Sequence, residues 1–263
     1  MGAAQRAVGL TVLMFAGGVV QSHAQSAEPP IDVSVSLRAF SNRATGPGYS
    51  LLPVPGLPPV EVPVASSRAM SFLPAVSVRS GRLGFNVSMH APTSYDTVIP
   101  EGGGQNRFRR KEWDVSLGYS LLPNVVVAAG WKAVDVEVDS IGLNQQIRSP
   151  FIGLSLSGAL TADWSLFASF AFGRPTLDAG GAKIGSTGEY TASEVGVRYG
   201  LGSLSPALKA ASAVLGYRAQ TFHFDNVVYS LLRLSPTGPV LTTGTHGIRA
   251  GIEGLTFGVS FVF

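Results

Sequence analysis

Apolar and polar residues alternate with a period of two along much of the chain. In the first such segment Ile31, Val33, Val35 and Leu37 fall on one parity, and the residues between them are polar. Successive side chains of a β-strand point to opposite faces, so this alternation predicts strands with one apolar and one polar face. Ten segments carry it: 31–40, 69–79, 83–90, 112–120, 125–132, 152–160, 164–173, 194–201, 211–220 and 248–263.

The last of these segments changes parity at Gly254. Ile248, Ala250 and Ile252 are apolar at even positions, whereas Leu255 and Phe257 are apolar at odd positions. One extra residue in a strand reverses the faces of all the residues that follow it. The change of parity therefore predicts a one-residue bulge at Gly254.

The connections between the segments alternate between short and long. Short turns near 80–81, 122–124, 161–163 and 203–206 separate long loops, a pattern typical of membrane β-barrels with tight periplasmic turns and long outer loops. An even number of strands returns both chain ends to the periplasmic side. Counts of eight or twelve stay open, because 49–66 could add a hairpin or one weak strand could drop out. The predicted outer loops lie near 41–67, 92–110, 139–147, 175–189 and 225–245.

The first 24 residues have the features of an export signal. Arg6 precedes an apolar core at 7–20 that is too short to cross a membrane as a helix, and Ser22-His23-Ala24 provides small residues for cleavage. We therefore predict a signal peptide over 1–24, and a single barrel domain over 25–263.

Composition restricts the fold class further. The chain is 45% hydrophobic and only 13% charged, with 32 glycines, no cysteine and a net charge of +3. Such a small charge excess gives no case for nucleic-acid binding. Beyond residue 24 no apolar run is long enough for a transmembrane helix. We therefore predict an all-β, antiparallel, up-and-down transmembrane barrel of about ten strands in the bacterial outer membrane, in contact with its lipid and lipopolysaccharide.

The end of the chain supports the same location. Phe263 is preceded by Phe261, Val259 and Phe257 at alternating positions. In these residues the chain resembles the bacterial outer-membrane β-barrel class, in which a terminal aromatic residue is the signal read by the barrel-assembly machinery. The resemblance implies that role for these four residues. Ten-stranded members include proteases of the omptin type and adhesins of the Opc type, and no motif assigns the chain to either.

The polar parity predicts a charged barrel interior. A barrel of about eight strands is just filled by its side chains, whereas open pores use about sixteen strands. Ten strands therefore favour a lumen plugged by mutual ion pairs, and a narrow gated pore is the alternative. The predicted lumen charges are Arg38, Arg79, Glu112, Asp114, Lys132, Glu194, Arg198, Arg218, Arg249 and Glu253.

Candidate catalytic groups are few. His223 and Asp225 lie two apart and share one face of a strand, but in the reverse order of the omptin Asp-x-His, and no acidic pair accompanies them. Ser88 and His90 share the polar parity and so point into the lumen, away from lipid. The sequence predicts no metal site and no cofactor.

Two loops could make surface contacts. Arg107, Arg109, Arg110 and Lys111 follow a glycine-rich stretch, where they could meet the phosphates of lipopolysaccharide. The proline-rich stretch 47–63 could bind an extracellular ligand or merely cover the lumen. The function predicted is a non-enzymatic barrel acting in adhesion, other surface interaction or envelope integrity. A narrow small-solute pore and an omptin-like or lipid-modifying enzyme are the alternatives.

Overall fold

The computed structural model describes residues 31–49, 61–98, 105–138, 143–179, 182–185, 188–202, 204–235 and 238–263. In these ranges no helix is long and apolar enough to cross a membrane. The predicted signal peptide lies outside the described residues. The strands are β1 (Ile31–Tyr49), β2 (Glu61–Ala65), β3 (Ala69–Ser80), β4 (Leu83–Val98), β5 (Gln105–Leu122), β6 (Val125–Val138), β7 (Leu143–Ala159), β8 (Trp164–Gly173), β9 (Thr176–Ala179), β10 (Ala182–Gly185), β11 (Gly188–Gly202), β12 (Ala210–Ser235) and β13 (Gly238–Val262).

Ten of the described strands close into an antiparallel ring. The order around the ring is β1-β3-β4-β5-β6-β7-β8-β11-β12-β13, and β13 pairs with β1 over twelve residue pairs, from Ser34↔Val262 to Thr45↔Gly251. The predicted ten-stranded barrel is therefore confirmed. Strand β2 pairs with the last five residues of β1, Thr45–Tyr49. Strand β9 pairs with β7, and β10 pairs with β9. Closure leaves the ten strands without an open edge.

The two ends of the barrel differ. At one end, here called the turn end, β3–β4, β5–β6, β7–β8 and β11–β12 are joined by short connections. Ile31 and Phe263 also lie there, since Ile31 pairs with Ser80 and the Phe263 amide donates to the Val33 carbonyl at 2.8 Å. The opposite end, here called the hairpin end, carries long paired extensions of the strands.

Much of what was predicted as outer loop is strand. Strands β12 and β13 stay paired as far as Ser235↔Gly238, inside the predicted loop 225–245, and β4 and β5 reach Val98 and Gln105, inside 92–110. The backbone ladder can continue beyond the membrane, where the outward side chains become polar. The apolar alternation used for prediction ends at the membrane edge, so it underestimates strand length.

The predicted bulge at Gly254 is wrong. The ladder runs without a register shift from Gly251 to Val262, and Gly254 pairs with Asn42 and Arg218. Ile252 is fully buried inside the barrel, and the even positions from Ile248 to Ser260 are buried or half-buried, so they face inward on both sides of Gly254. The prediction assumed that apolar residues face lipid, but at the hairpin end the interior itself is apolar.

The outer surface carries a continuous apolar band. Outward positions on the ten ring strands include leucines, valines and phenylalanines that are between about a third and two thirds exposed. Burying such a surface in water-free lipid is favourable, whereas exposing it to water is not. Aromatic side chains on this surface, typical of membrane interfaces, are Phe72, Phe85, Trp113, Tyr119, Trp131, Trp164, Phe172, Tyr199, Tyr217 and Phe257.

Candidate functional site

The barrel interior holds a buried ionic cluster centred on Glu112. Lys132 Nζ lies 2.7 Å from Glu112 Oε2, Arg110 Nε donates to Glu112 Oε1 at 2.6 Å, and Gln220 Nε2 donates to Glu112 Oε2 at 3.0 Å. Lys132 also lies 2.9 Å from Asp114 Oδ1. All five side chains are buried. Buried charges are tolerated only when they are paired and hydrogen-bonded, and this cluster meets that condition for both carboxylates.

A second buried pair lies across the lumen. Arg38 Nη1 donates to Glu194 Oε1 at 3.2 Å, and the Thr256 hydroxyl donates to the same oxygen at 2.8 Å. Arg218 pairs in register with Glu194 and interacts electrostatically with Glu112, Asp114 and Glu194. Arg218 therefore connects the second pair with the Glu112 cluster, and together they form one charged layer across the barrel.

Six of the ten predicted lumen charges lie in this layer, and four do not. Arg79 and Arg198 lie inside the barrel nearer the turn end, half-buried. Arg249 and Glu253 are exposed on the outer face, where Glu253 Oε2 accepts a hydrogen bond from the Tyr217 hydroxyl at 2.9 Å. The prediction that Arg249 and Glu253 face the lumen is wrong, because there is no bulge at Gly254. Without the bulge, Arg249 and Glu253 share the outward parity of Leu255 and Phe257. The six in the layer are Arg38, Glu112, Asp114, Lys132, Glu194 and Arg218.

Arg110 was predicted in the lipopolysaccharide-contacting loop, and it lies in the charged layer instead. It is 3% exposed and shares the inward parity of Glu112 and Asp114 on β5. Continuing the strand pattern two residues further would have found it. The other layer members missed were Gln220 and Thr256, whose inward parity was visible but which carry no charge. His90, which parity placed in the lumen, also belongs to the layer, since its Nδ1 lies 3.5 Å from Glu112 Oε1.

Above the charged layer, on the hairpin side, two apolar clusters fill the interior. In the first, the Tyr190 and Phe222 rings stack with centroids 4.9 Å apart, and Phe151 contacts Tyr190 edge-on. The cluster sits against the charges, since Lys132 Nζ lies 5.9 Å from the Tyr190 ring and Arg110 lies 5.8 Å from the Phe222 ring. Its buried members are Val134, Ile147, Phe151, Ala171, Leu177, Tyr190, Ala192, Phe222, Phe224 and Val227.

The second cluster packs around Tyr95 and Phe40. Tyr95 stacks on Phe108 with centroids 5.1 Å apart, and its hydroxyl donates to Asn42 Oδ1 at 2.6 Å. Burial raises the pKa of Tyr95 to about 12, so the hydroxyl stays neutral and keeps its donor proton at physiological pH. The neighbours Ser94 and Asp96 are exposed and polar, so Tyr95 itself lies beyond the apolar band.

Below the charged layer, the turn end of the lumen contains open space. A cavity of about 310 Å³ is lined by Ser34, Ser165, Arg198, Ser212 and Ser260, with Asp163 in its wall at the turn between β7 and β8. A smaller cavity of about 40 Å³ adjoins Arg79, Arg198 and Ser169. The lumen is therefore filled at its centre and hairpin side and open at its turn end. We call the two cavities together the vestibule.

The candidate catalytic pair forms, but on the outside of the barrel. His223 Nε2 lies 3.0 Å from Asp225 Oδ1, and both side chains are about half exposed. Phe222 and Phe224, the alternate residues of β12, are buried inside, so His223 points outward. Ser88 donates to Asp114 Oδ2 at 3.4 Å inside the barrel, as its parity predicted. The part of the chain that the structure describes holds no group of side chains suited to a metal ion.

The remaining residues of the predicted lipopolysaccharide site face outward on β5. Arg107 pairs with Asp96 at 2.8 Å, and Lys111 lies 3.6 Å from Asp135. Arg109 is exposed beside them. These three cations lie on an extended strand just past Trp113 in the apolar band, and not in a glycine-flanked loop as expected.

The predicted assembly residues form the lipid-facing edge of β13. Phe257 and Phe263 are exposed, and Val259 and Phe261 are half-buried against their neighbours. Val259 and Phe261 pair with Leu37 and Val35 of β1, which closes the barrel.

Comparison with solved structures extends these observations. The outer-membrane protease OmpT from Escherichia coli is similar, with a TM-score of 0.51 and 14% identity over 89% of this chain and 96% of that chain. A Pseudomonas aeruginosa FadL homologue has a TM-score of 0.33 at 11% identity, covering 89% of this chain and 90% of that one. An anion-selective porin from Comamonas acidovorans has a TM-score of 0.27 at 13% identity, covering 76% and 55%. No protein-family model and no curated protein matches the sequence.

The likeness to OmpT concerns the fold. Together with the closed sheet and its apolar outer band, it confirms the predicted class, a bacterial outer-membrane β-barrel, and the predicted location in the outer membrane.

Proposed function

We propose that this protein is a non-enzymatic outer-membrane barrel with a plugged lumen, acting at the cell surface in adhesion or in envelope integrity. The observation that carries the proposal is the continuous filling of the barrel centre. Lys132, Glu112 and Arg110 form the charged layer, and Tyr190 and Phe222 stack directly on it. An ion crossing this region would have to disrupt buried ion pairs and then enter an apolar cluster, and both steps are costly.

The proposed surface activity belongs to the hairpin end. In the predicted orientation this end faces outward from the cell, and the paired extensions of β12 and β13 project beyond the apolar band. Extended hairpins of this kind offer groups to an extracellular ligand. The proposed partners are therefore such a ligand, the surrounding lipid, and the barrel-assembly machinery through Phe263.

Lipopolysaccharide is a further proposed partner, through Arg107, Arg109 and Lys111. These cations lie just beyond the apolar band, at the height where lipid phosphates would be found, and guanidinium groups bind phosphates bidentately. Asp96 and Asp135 compete for two of them. We therefore assign the strongest contact to Arg109. Arg109→Gln should weaken co-purification of lipopolysaccharide, whereas Arg82→Gln at the turn end should not; equal retention by both variants would contradict the assignment.

The first test of the plugged lumen is electrical. The purified full chain, reconstituted into planar bilayers, should give no stepwise current across the voltages at which porins conduct. Folding of the sample is checked separately by circular dichroism and by protease resistance. Reproducible unitary currents from folded protein would refute the plug and support the alternative, a narrow pore. The vestibule is the observation that favours that alternative, since it provides open space at the turn end of the lumen.

The surface role needs a cellular test. A strain lacking the gene is complemented with the wild type, or with a variant in which 227–246 is replaced by a short turn. We expect the wild type and the shortened variant to insert into the membrane. If the role is envelope integrity, both proteins should also restore resistance to detergent. Loss of adherence in the shortened variant alone would assign the role to the hairpin. If the gene deletion changes neither property, the proposal fails.

The enzyme alternative has its own test. An omptin-like activity would depend on His223 and Asp225, yet both lie on the outer face of the barrel. We expect the purified protein to leave dibasic peptides and phospholipid vesicles uncleaved, as does its His223→Ala variant. Cleavage by the wild type that the substitution abolishes would overturn the non-enzymatic assignment.

A further inference from the structure

The vestibule at the turn end has a lining unlike the rest of the lumen. Its main wall is hydroxyl-rich: Ser34, Ser165, Ser212 and Ser260 all line the larger cavity. The register explains this concentration, because Ser212 on β12 pairs with Ser260 on β13, which in turn pairs with Ser36 on β1. Three neighbouring strands thus place a row of inward hydroxyl groups side by side.

Arg198 connects the two cavities. It lines both the larger one, of about 310 Å³, and the smaller one, of about 40 Å³. Its guanidinium lies 5.7 Å from the Phe167 ring, which supports one face of the group. The residue also pairs in register with Ser165, so a hydroxyl of the cavity wall lies beside it.

The charge balance in the vestibule is positive. The charged residues lining the two cavities are Arg198, Arg79 and Asp163, and Asp163 is exposed in the turn between β7 and β8. The three buried carboxylates of the lumen, Glu112, Asp114 and Glu194, lie higher, in the charged layer. A chamber lined by two arginines and several hydroxyl donors, in which the acidic lining residue Asp163 is exposed at the turn, attracts anions.

A buried hydroxyl in the smaller cavity points to a missing acceptor. Ser169 lines this cavity and is 1% exposed, and its Oγ has no hydrogen-bond partner. A buried polar group without a partner is costly, so such a group in a cavity wall is normally satisfied by a bound molecule. Ser36, two residues after Ser34 on β1, is also buried with no partner for its Oγ, although it lines neither cavity.

From this lining we propose that the vestibule is a binding site for a small oxyanion, of the phosphate or carboxylate class, held by Arg198 and the serine hydroxyls. Guanidinium and hydroxyl groups both donate to oxygen, and an oxyanion accepts from several donors at once. In the predicted orientation the site opens to the periplasm. It is independent of the proposed surface role, and it requires no conduction through the barrel.

The test uses the full chain folded in detergent micelles. Sodium phosphate, sodium sulfate and sodium acetate are titrated by isothermal calorimetry at constant ionic strength, with sodium chloride as the reference. We expect saturable binding of one oxyanion per chain, and the three salts distinguish a tetrahedral oxyanion from a carboxylate. Arg198→Gln should weaken binding by about tenfold, the loss expected for one charge-assisted contact.

Matched variants separate this site from general electrostatic attraction. Arg82→Gln removes the same charge from an exposed turn at the same end and should leave binding unchanged. The double variant Ser212→Ala/Ser260→Ala keeps Arg198 and should weaken binding severalfold, which keeps the proposal testable if Arg198→Gln fails to fold. Absence of saturable binding to all three oxyanions, or equal weakening by Arg82→Gln, would overturn the proposal.

Discussion

At the scale of the residue, Lys132 has the most demanding environment among the described side chains. It is fully buried within reach of two carboxylates, Glu112 and Asp114, and beneath the Tyr190 ring. A lysine in such a position is stable only because both acceptors are held against it by neighbouring strands. Asp114 depends on Lys132 more than Glu112 does, because Arg110 and Gln220 also donate to Glu112.

Replacing Lys132 by methionine should therefore destabilise the barrel strongly. The substitution keeps the length of the side chain but leaves Asp114 without its buried cation, and we expect a loss of about 3–5 kcal/mol in the free energy of unfolding. Guanidinium unfolding in lipid micelles, followed by tryptophan fluorescence, measures it. Lys209→Met is the control: Lys209 pairs with Asp32 at 2.7 Å but is exposed, and should change stability by less than about 1 kcal/mol. Similar losses for both would contradict the role given to the layer.

At the scale of the element, a glycine on one strand leaves space for a large inward ring on the neighbouring strand. Gly130 on β6 pairs with Phe151 on β7. A β-carbon added at Gly130 would clash with the backbone carbonyl oxygen of Val115, and it would lie 2.6 Å from the Phe151 ring and 2.8 Å from Ser116 Cβ. The Phe151 ring thus occupies the space that a side chain at position 130 would need. The packing of the first apolar cluster therefore depends on a glycine at that position.

Gly130→Ala should destabilise the barrel by about 1–3 kcal/mol through overpacking. Gly158→Ala on β7 is the matched control, because a β-carbon there would meet nothing within 4 Å. We expect the control to change stability by less than about 0.5 kcal/mol. Thermal unfolding of both variants in the same detergent makes the comparison, and equal midpoints would show that the Phe151 ring moves aside without cost.

The last strand carries the predicted assembly signal. Phe263 is exposed and its amide donates to Val33, so it lies where the barrel closes. Deleting Phe263 should reduce the amount of folded protein in the outer membrane without unfolding protein that is refolded in vitro. Phe172→Ala removes an equally exposed phenylalanine from β8 and should assemble normally. Normal insertion of the deletion variant would count against the signal.

At the scale of the whole molecule, the interior is divided along the barrel axis. An apolar plug lies toward the hairpin end, the charged layer spans the centre, and the serine-rich vestibule opens at the turn end. This order brings low-dielectric surroundings against the charged layer, where they strengthen its ion pairs. The vestibule offers space for a solute at the turn end of the lumen.

Removing the plug should open a path for ions. Tyr190→Ala/Phe222→Ala deletes the stacked rings over the charged layer, and we expect stepwise currents in planar bilayers where the wild type is silent. Thr191→Ala/His223→Ala changes the outward neighbours of the same two residues and serves as the control. If the plug variant stays silent while folded, the charged layer alone is sufficient to seal the barrel.

The sequence by itself determined the strands, the barrel and its membrane location. Lipid requires an apolar side chain at every second position of a strand. Because this requirement acts within each strand, it is visible in short sequence runs such as Leu83–Met89. The same parity correctly assigned Lys132 and Glu194 to the interior, although it could not name their partners.

The tertiary structure alone decided what fills the interior. Inward side chains meet partners from distant strands: Glu112 and Gln220 are 108 residues apart, and Arg38 and Glu194 are 156 apart. Inside the barrel, apolar and polar groups are both permitted wherever a complementary neighbour exists. Parity therefore could not tell that Ile252 faces inward into an apolar cluster and Glu253 outward, or that Arg110 pairs with Glu112 inside the barrel.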